Sequence, residues 1–322
     1  MWRNIKKIIH ENNNFVLTTH VNPDGDGVGS SCAFTELLLH FRKKVRLICD
    51  DPVPKKLSFL DYHGTHEVFD ENEDYSDVQV LIVLDTHEKE RIGRLKNLLD
   101  KKNIISVCID HHPSKEIFTP HTLLDSKACS VGAMIYTLFK ECGIELNIRA
   151  ATGIYTSIIC DTGRFSYSST TRKAHKIADE CIKLGVDPNI MHMRLFQQIP
   201  LSHMKIIAQA LQHIEMHAEN RVAVQVIHLK DYEDEESDIH DIEFLHHEFN
   251  KAIEGVECVV VLTELRDLST RVSIRSKTDL DIGKIMRAVG GGGHSQAAGV
   301  TWNCSVKEAK EKVVGLITQG MS

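Results

Sequence analysis

Four clusters of acidic and histidine residues in the first half of the chain each close an apolar run, and this coincidence restricts the fold more than any other feature. His20-Val21-Asn22-Pro23-Asp24-Gly25-Asp26 follows Phe15–Thr19, and Asp85 follows Val78–Leu84. Asp110-His111-His112 follows Ile104–Ile109, and Asp161-Thr162-Gly163 follows Ile154–Cys160. Short runs rich in β-branched residues, Val45–Cys49 among them, read as buried parallel strands. A helical stretch from about Gly29 to Phe41 between Phe15–Thr19 and Val45 completes a βαβ unit. The strand ends of an open α/β sheet gather in one crevice. The clusters are therefore expected to meet there, as a set of carboxylates and imidazoles suited to two hard divalent cations such as Mn²⁺.

Beyond residue 112 the texture changes. Ser130–Cys142, Ile148–Ile159 and Thr171–Leu184 have helical periodicity, and Gly185 with Asp187-Pro188 ends a helix. Met191–Glu215 is helical with a break at Pro200. Arg221–Leu229, Cys258–Leu265 and Arg271–Ser276 read as strands, with a helix from about Asp241 to Ile253 between the first two. A helix over Asp281–Val289 leads into four glycines, Gly290–Gly293. Ser305 with Glu308 forms a capping box for a last helix, Ser305–Ile317. The expected fold is α/β: a parallel-sheet N-terminal domain (1–188) with helices on both faces, a helical linker (189–215) and a smaller α/β C-terminal domain (216–322). The acidic stretch 231–238 reads as a solvated loop or the start of a helix.

The net charge of −7, from 38 basic and 45 acidic residues, argues against a broad basic surface for long duplex DNA. It leaves room for a short anionic substrate held by metals and a few arginines. Nine scattered cysteines without a Cys-x-x-Cys pair argue for reduced thiols and a cytoplasmic location. The first residues lack the apolar stretch of a signal peptide, and no run is long enough to span a bilayer.

Each cluster also has a plain structural reading. His20, Asp24 and Asp26 lie on a Pro/Gly turn that can aim them into one cavity or serve as an Asx turn capping the helix near Gly29. An EF-hand loop fails because its twelfth position from Asp24 is Thr35. Asp85 and Asp161 are each compatible with helix capping. Adjacent His111 and His112 at a strand end face apart, so one can meet a metal and the other a substrate, with Asp110 fixing an imidazole tautomer. Arg164, three residues past Asp161, can clamp a phosphate. Arg271, Ser273 and Arg275 share one strand face and suit a terminal phosphate. The glycines before His294, Gly292 and Gly293 included, would let backbone N–H groups approach an anion. His63, His66, His213, His217, His246 and His247 read as structural.

The order of these motifs resembles the DHH phosphoesterase superfamily, and the run Gly290–Gly299 with Arg271–Ser276 resembles its DHH-associated C-terminal domain. The resemblance spans nearly the whole chain. It implies that His20 and Asp24 hold one metal, that Asp26, His111 and Asp161 hold the other, and that Asp85 bridges them. His112 is left to contact the substrate phosphate. Catalytic roles then fall to His112, Asp85 and Asp110. It further implies phosphoester hydrolysis with two Mn²⁺ in a cleft between two domains, by attack of an activated water, and a homodimer is compatible with it. Length and the basic C-terminal strand favour the group that hydrolyses short oligoribonucleotides (nanoRNase) and 3'-phosphoadenosine 5'-phosphate (pAp). A cyclic di-AMP or pApA phosphodiesterase is the alternative. A pyrophosphatase of the second family and a non-catalytic nucleotide-binding regulator rank below it.

Overall fold

The computed structural model describes residues 2–101, 103–113, 117–232, 247–293 and 295–321. It comprises two compact units, Met1–Gln198 and Ile199–Ser322. His294, His246 and most of the acidic stretch after Tyr232 lie outside the described residues, as does the start of the helix expected from Asp241.

The first unit is built on a six-stranded sheet of β1 (Asn14–Thr18), β2 (Lys44–Cys49), β3 (His66–Val68), β4 (Val80–Leu84), β5 (Ile105–Asp110) and β6 (His121–Leu124). The order is β3-β2-β1-β4-β5-β6, parallel throughout. The central strands are buried on both faces, so they read as unbroken apolar runs. Phe15, Leu17, Leu47, Ile82, Leu84, Val107 and Ile109 face one core. That core is covered by α1 (Trp2–Glu11), α2 (Gly25–His40), α4 (Val131–Cys142), α5 (Ile148–Asp161) and α6 (Arg172–Lys183). Val16, Ile48, Leu81 and Val83 face the other, thinner layer with Ile92, Leu95 and Leu98. These come from a 3₁₀ segment, Lys89–Leu95, and the short α3 (Lys96–Leu99). Strand order turns at β1 and β4, which makes the space beyond their carboxyl ends the topological switch point.

Three local features depart from the sequence reading. Helix α2 begins at Gly25, not near Gly29, because the Asp24 side chain accepts the N–H groups of Asp26 and Gly27 and caps it there. The helix read over Ile148–Ile159 is present as α5 and takes in Ile154–Cys160, so the fourth cluster, at Asp161, closes a helix and not a strand end like the others. The short edge strands β3 and β6 and the N-terminal helix α1 were not expected.

Helix α7 (Pro188–Phe196) lies at the end of the first unit, and α8 (Leu201–Leu211), with Pro200 as N-cap, at the start of the second. The sheet contains β7 (Glu215–His217), β8 (Val222–Ile227), β9 (Cys258–Glu264), β10 (Thr270–Ser276), β11 (Gly292–Gly293) and β12 (Ala297–Trp302). Its order is β11-β12-β10-β9-β8-β7; β8 and β9 are parallel and the other neighbours antiparallel. Helices Ile282–Arg287 and Val306–Met321 pack on the face formed by Val224, Val260, Leu262, Val272 and Ile274. Among the described residues no helix is long and apolar enough to cross a membrane. All nine cysteines are free thiols.

Candidate metal centre

Three neighbouring strands, β1, β4 and β5, deliver His20, Asp85 and Asp110-His111-His112 at their carboxyl ends, and helices α2 and α5 add Asp24, Asp26 and Asp161. His20 donates Nδ1–H to the carbonyl of Val21 at 2.8 Å, and His111 donates Nδ1–H to the carbonyl of Ala128 at 3.2 Å. A backbone acceptor fixes each tautomer and leaves Nε2 with its lone pair facing the cluster. His20 Nε2 stands 3.6 Å from Asp24 and 3.5 Å from Asp85. His111 Nε2 stands 3.6 Å from Asp26, 3.7 Å from Asp85 and 3.3 Å from Asp161.

Donor atoms thus fall within 4.8 Å of one another in three groups: His20, Asp24 and Asp85; Asp26, His111 and Asp161; and Asp85, His111 and His112. All six residues expected to hold metal are brought together, with Asp85 shared between the first group and the third.

The surroundings of Asp26 explain how a carboxylate survives in the core. Val131 N–H donates to its two oxygens at 3.1 and 2.9 Å, Gly132 N–H donates at 3.3 Å, and Ser157 Oγ–H donates at 2.6 Å. The first two groups belong to the N-terminus of α4, capped by Ser130, so the helix dipole favours the negative charge. Ser130 and Ser157 are supports that sequence reading missed; a lone serine inside a helical pattern carries no distinguishing signal.

Crowding shows in the protonation of the site. Burial, and then the charge of Asp26, push Asp85 and Asp161 well above the ordinary carboxylate range. Asp26 is raised as well, chiefly by burial. Burial works downward on His20, but Asp24 and Asp85 lift it well above the usual imidazole value; His111 is lifted likewise by Asp26 and Asp85. Asp24 is the exception. Burial acts upward on it, yet His20 and the N–H groups of Gly27 and Asp26 hold it below the ordinary range.

Two buried atoms at the centre, Asp85 Oδ1 and His111 Nε2, have no hydrogen-bond partner. Unsatisfied buried acceptors of this kind are costly in a folded protein. Mutually facing carboxylate oxygens and imidazole nitrogens, Asp85 Oδ1 and His111 Nε2 without partners among them, are what hard divalent cations require once the imidazoles give up their extra proton, so the residues fit a metal centre. Asp85 adopts φ 65°, and Asn22, Arg164 and Phe165 also lie in the left-handed region. Such strain collects where side chains must be aimed rather than relaxed.

His112 is held differently from His111. Its Nδ1–H donates to Asp110 Oδ1 at 2.6 Å, and Asp110 also accepts from His87 Nδ1 at 2.5 Å. His87 escaped the sequence reading. The signal was its place two residues beyond a cluster aspartate. The Arg164 guanidinium lies over the Phe196 ring, 5.3 Å from its centroid.

In the second unit Arg271, Ser273 and Arg275 lie on the face of β10 opposite Val272 and Ile274, with both arginines partly exposed. Ser273 Oγ is 2.8 Å from Nε2 of His247, a buried residue. Gly292 and Gly293 form the edge strand β11 against Gly299 and Ala298. Gly293 has φ 124°, and a Cβ there would stand 2.4 Å from the Ala297 carbonyl oxygen. The strand pairing itself therefore demands glycine at 293.

Residues 14–162 match the DHH family, N-terminal domain, and residues 219–319 match the DHHA1 domain. Over 289 residues the chain is 32% identical to the bifunctional oligoribonuclease and PAP phosphatase NrnA of Bacillus subtilis, covering 89% of this chain and 88% of that one. It is 28% identical over 307 residues to the protein of the same name from Thermus thermophilus, covering 95% and 90%. Among solved structures, an exopolyphosphatase-related protein from Bacteroides fragilis aligns with a TM-score of 0.90 at 21% identity, over 99% of this chain and 94% of that one. An exonuclease RecJ bound to manganese aligns with a TM-score of 0.56 at 12% identity, over 99% and 94%. At these identities the two structures speak for the fold.

Proposed function

The chain belongs to the DHH family of phosphoesterases, and from that premise we propose that it hydrolyses short oligoribonucleotides and pAp, releasing nucleoside monophosphates, with two Mn²⁺ ions. The observation that carries the reading is the pair of tautomer-locked imidazoles, His20 and His111, whose Nε2 atoms face four carboxylates around a buried, unsatisfied Asp85 oxygen. The relatives named as oligoribonuclease and pAp phosphatase supply the substrate class.

We assign His20 and Asp24 to one ion and Asp26, His111 and Asp161 to the other, with Asp85 between them. Four carboxylates balance the charge of two divalent cations and leave no net excess to repel an anionic substrate. When bound, the ions supply Lewis acidity at the phosphoryl oxygens and make a coordinated water acidic enough to attack at neutral pH. The protein's part is alignment. Val131, Gly132 and Ser157 keep Asp26 from rotating, and the Val21 and Ala128 carbonyls keep both imidazole rings turned inward. His112, tied through Nδ1 to Asp110, presents Nε2 to the substrate. When protonated it donates to a phosphoryl oxygen while Asp110 balances the charge, the pairing of imidazolium and carboxylate familiar from hydrolytic triads. Arg164 clamps a phosphate near Asp161. Arg271, Ser273, Arg275 and the segment Gly292, Gly293 and His294 take the rest of the nucleotide. Residues 1–188 accordingly hold the metals, 189–215 connect, and 216–322 bind substrate.

A substrate panel tests this reading: pAp, di- to pentaribonucleotides, pApA, cyclic di-AMP and pyrophosphate, each with Mn²⁺ and with Mg²⁺. Fastest turnover of pAp and the shortest oligoribonucleotides is expected, with Mn²⁺ preferred. Preference for cyclic di-AMP or pyrophosphate, or no turnover of any, overturns the substrate assignment.

A further inference from the structure

Asp110 supports two imidazoles from its two oxygens. Its side chain is fully buried. Oδ1 accepts the backbone N–H of His111 at 2.8 Å, the backbone N–H of His112 at 3.2 Å and His112 Nδ1–H at 2.6 Å. Among the described residues, Oδ2 accepts from His87 alone, at 2.5 Å. A carboxylate only accepts hydrogen bonds, and both Nδ1 atoms lie at hydrogen-bond distance from this one. Each imidazole must then carry its proton on Nδ1. The two rings lie 6.3 Å apart, centroid to centroid. His87 follows Asp85 by two residues, so the loop that leaves β4 supplies both a cluster carboxylate and the second donor to Asp110.

We propose that His87 is a positioning residue for phosphoester hydrolysis: by donating Nδ1–H to Asp110 Oδ2 it locks the carboxylate that sets the tautomer and orientation of His112. The inference rests on the reading of His112 as the side chain that meets the substrate. A carboxylate is free to rotate about its Cβ–Cγ bond unless both oxygens are engaged. With Oδ2 tied to His87, Oδ1 stays aimed at residues 111 and 112. Without His87, a fully buried carboxylate oxygen loses its donor, a costly state that reorientation relieves. His112 then loses the fixed partner that turns Nε2 toward the site. A side chain that merely fills space at position 87 has none of these consequences for turnover.

The test is a cycle of variants, His87→Ala, His87→Asn, His112→Ala and the double His87→Ala/His112→Ala, assayed on pAp with Mn²⁺, with metal content read by elemental analysis. His87→Ala is expected to lower kcat about 10–100-fold, the usual cost of losing an outer partner of a site histidine. KM should stay within about threefold and metal content at the wild-type level. His87→Asn should recover most of the rate, because its amide N–H takes the place of Nδ1–H. In the His112→Ala background, His87→Ala should cost nothing further, since its effect passes through His112. Wild-type kcat in His87→Ala, loss of metal, no recovery with Asn, or full additivity in the double variant each overturn the proposal. A His112→Ala enzyme as active as wild type removes the premise itself, an outcome distinct from failure at His87 in an impaired His112→Ala enzyme.

Discussion

Asp85 shows how a single residue is strained for the sake of a site. It stands at φ 65°, is almost wholly buried, and carries an oxygen without a hydrogen-bond partner. Aspartate and asparagine tolerate the left-handed region better than other side chains with a Cβ, so Asp85→Asn removes the charge while keeping the backbone. We expect it to reduce turnover on every substrate by about 10³-fold or more, and to bring bound metal below two ions per chain by elemental analysis. The metal-free protein should behave oppositely. Removing one of several crowded carboxylates relieves the desolvation and repulsion that raise Asp85 and Asp161, so its melting temperature should rise by roughly a few degrees. Full metal content with normal turnover contradicts a central role for Asp85. At this scale the members of the cluster were legible in the sequence, since six ligand-type residues closing apolar runs stand out. Their orientation was not. The carbonyls of Val21 and Ala128 that turn His20 and His111 are backbone atoms and leave no trace in residue type.

At the scale of elements, the distance between the proposed ligands Asp26 and Asp161 depends on how α2 and α5 cross. The first carries Asp26 in its opening turn and the second ends in Asp161. They meet at a pair of glycines: a Cβ on Gly29 would stand 2.5 Å from the Gly153 carbonyl oxygen, and a Cβ on Gly153 would stand 2.5 Å from that of Gly29. Backbone carbonyls cannot swing aside as side chains do, so Gly153→Ala must push the helices apart. We expect a loss of roughly 1–3 kcal/mol in stability, the usual range for overpacking, and weaker metal binding in a Mn²⁺ titration. Unchanged affinity and melting temperature would mean that the crossing has more slack than its geometry indicates. Gly29 and its neighbours also explain why the helix start was read four residues late: glycines in Gly25–Gly29 mask helical propensity. The central strands were legible because burial on both faces makes them uniformly apolar. The edge strands β3 and β6 are short and contain His66, Glu67, His121 and Thr122, a mixture with no strand signature. In α1, Ile5, Ile8 and Ile9 do carry a helical stripe, but in ten residues it is a short signal.

For the whole molecule, the proposed metal binding would link to protonation and stability of the first unit in one equilibrium. Asp26, Asp85, Asp161, His20 and His111 all have pKa values raised in the fold. The metal-free folded chain therefore binds more protons than the unfolded chain, and its stability falls as pH climbs from the ordinary aspartate and histidine values through the raised ones. Asp24 and Asp110 are lowered and act in the opposite sense, but only near and below the ordinary aspartate value. Cations displace the extra protons, so the gain in melting temperature on adding Mn²⁺ should be larger at about pH 8 than at about pH 6. Equal gains at both would show that the raised groups are not the ligands. The second unit contains none of the six donors, and Arg271 tests its separate task. Its placement with Ser273 and Arg275 on one face of β10 was legible from strict alternation, whereas the His247–Ser273 contact joins residues 26 apart and was not. If Arg271 grips a phosphate away from the bond being cut, Arg271→Ala should raise KM for pAp and dinucleotides by about 10–150-fold, the equivalent of roughly 1.5–3 kcal/mol for a charge-assisted contact. Metal content should not change, because a guanidinium holds no cation. Bis(p-nitrophenyl) phosphate, which has no second phosphate to grip, should be hydrolysed at nearly the wild-type rate. A uniform loss on all three substrates, with a lowered melting temperature, would mean that Arg271 supports the strand it stands on and does not hold substrate.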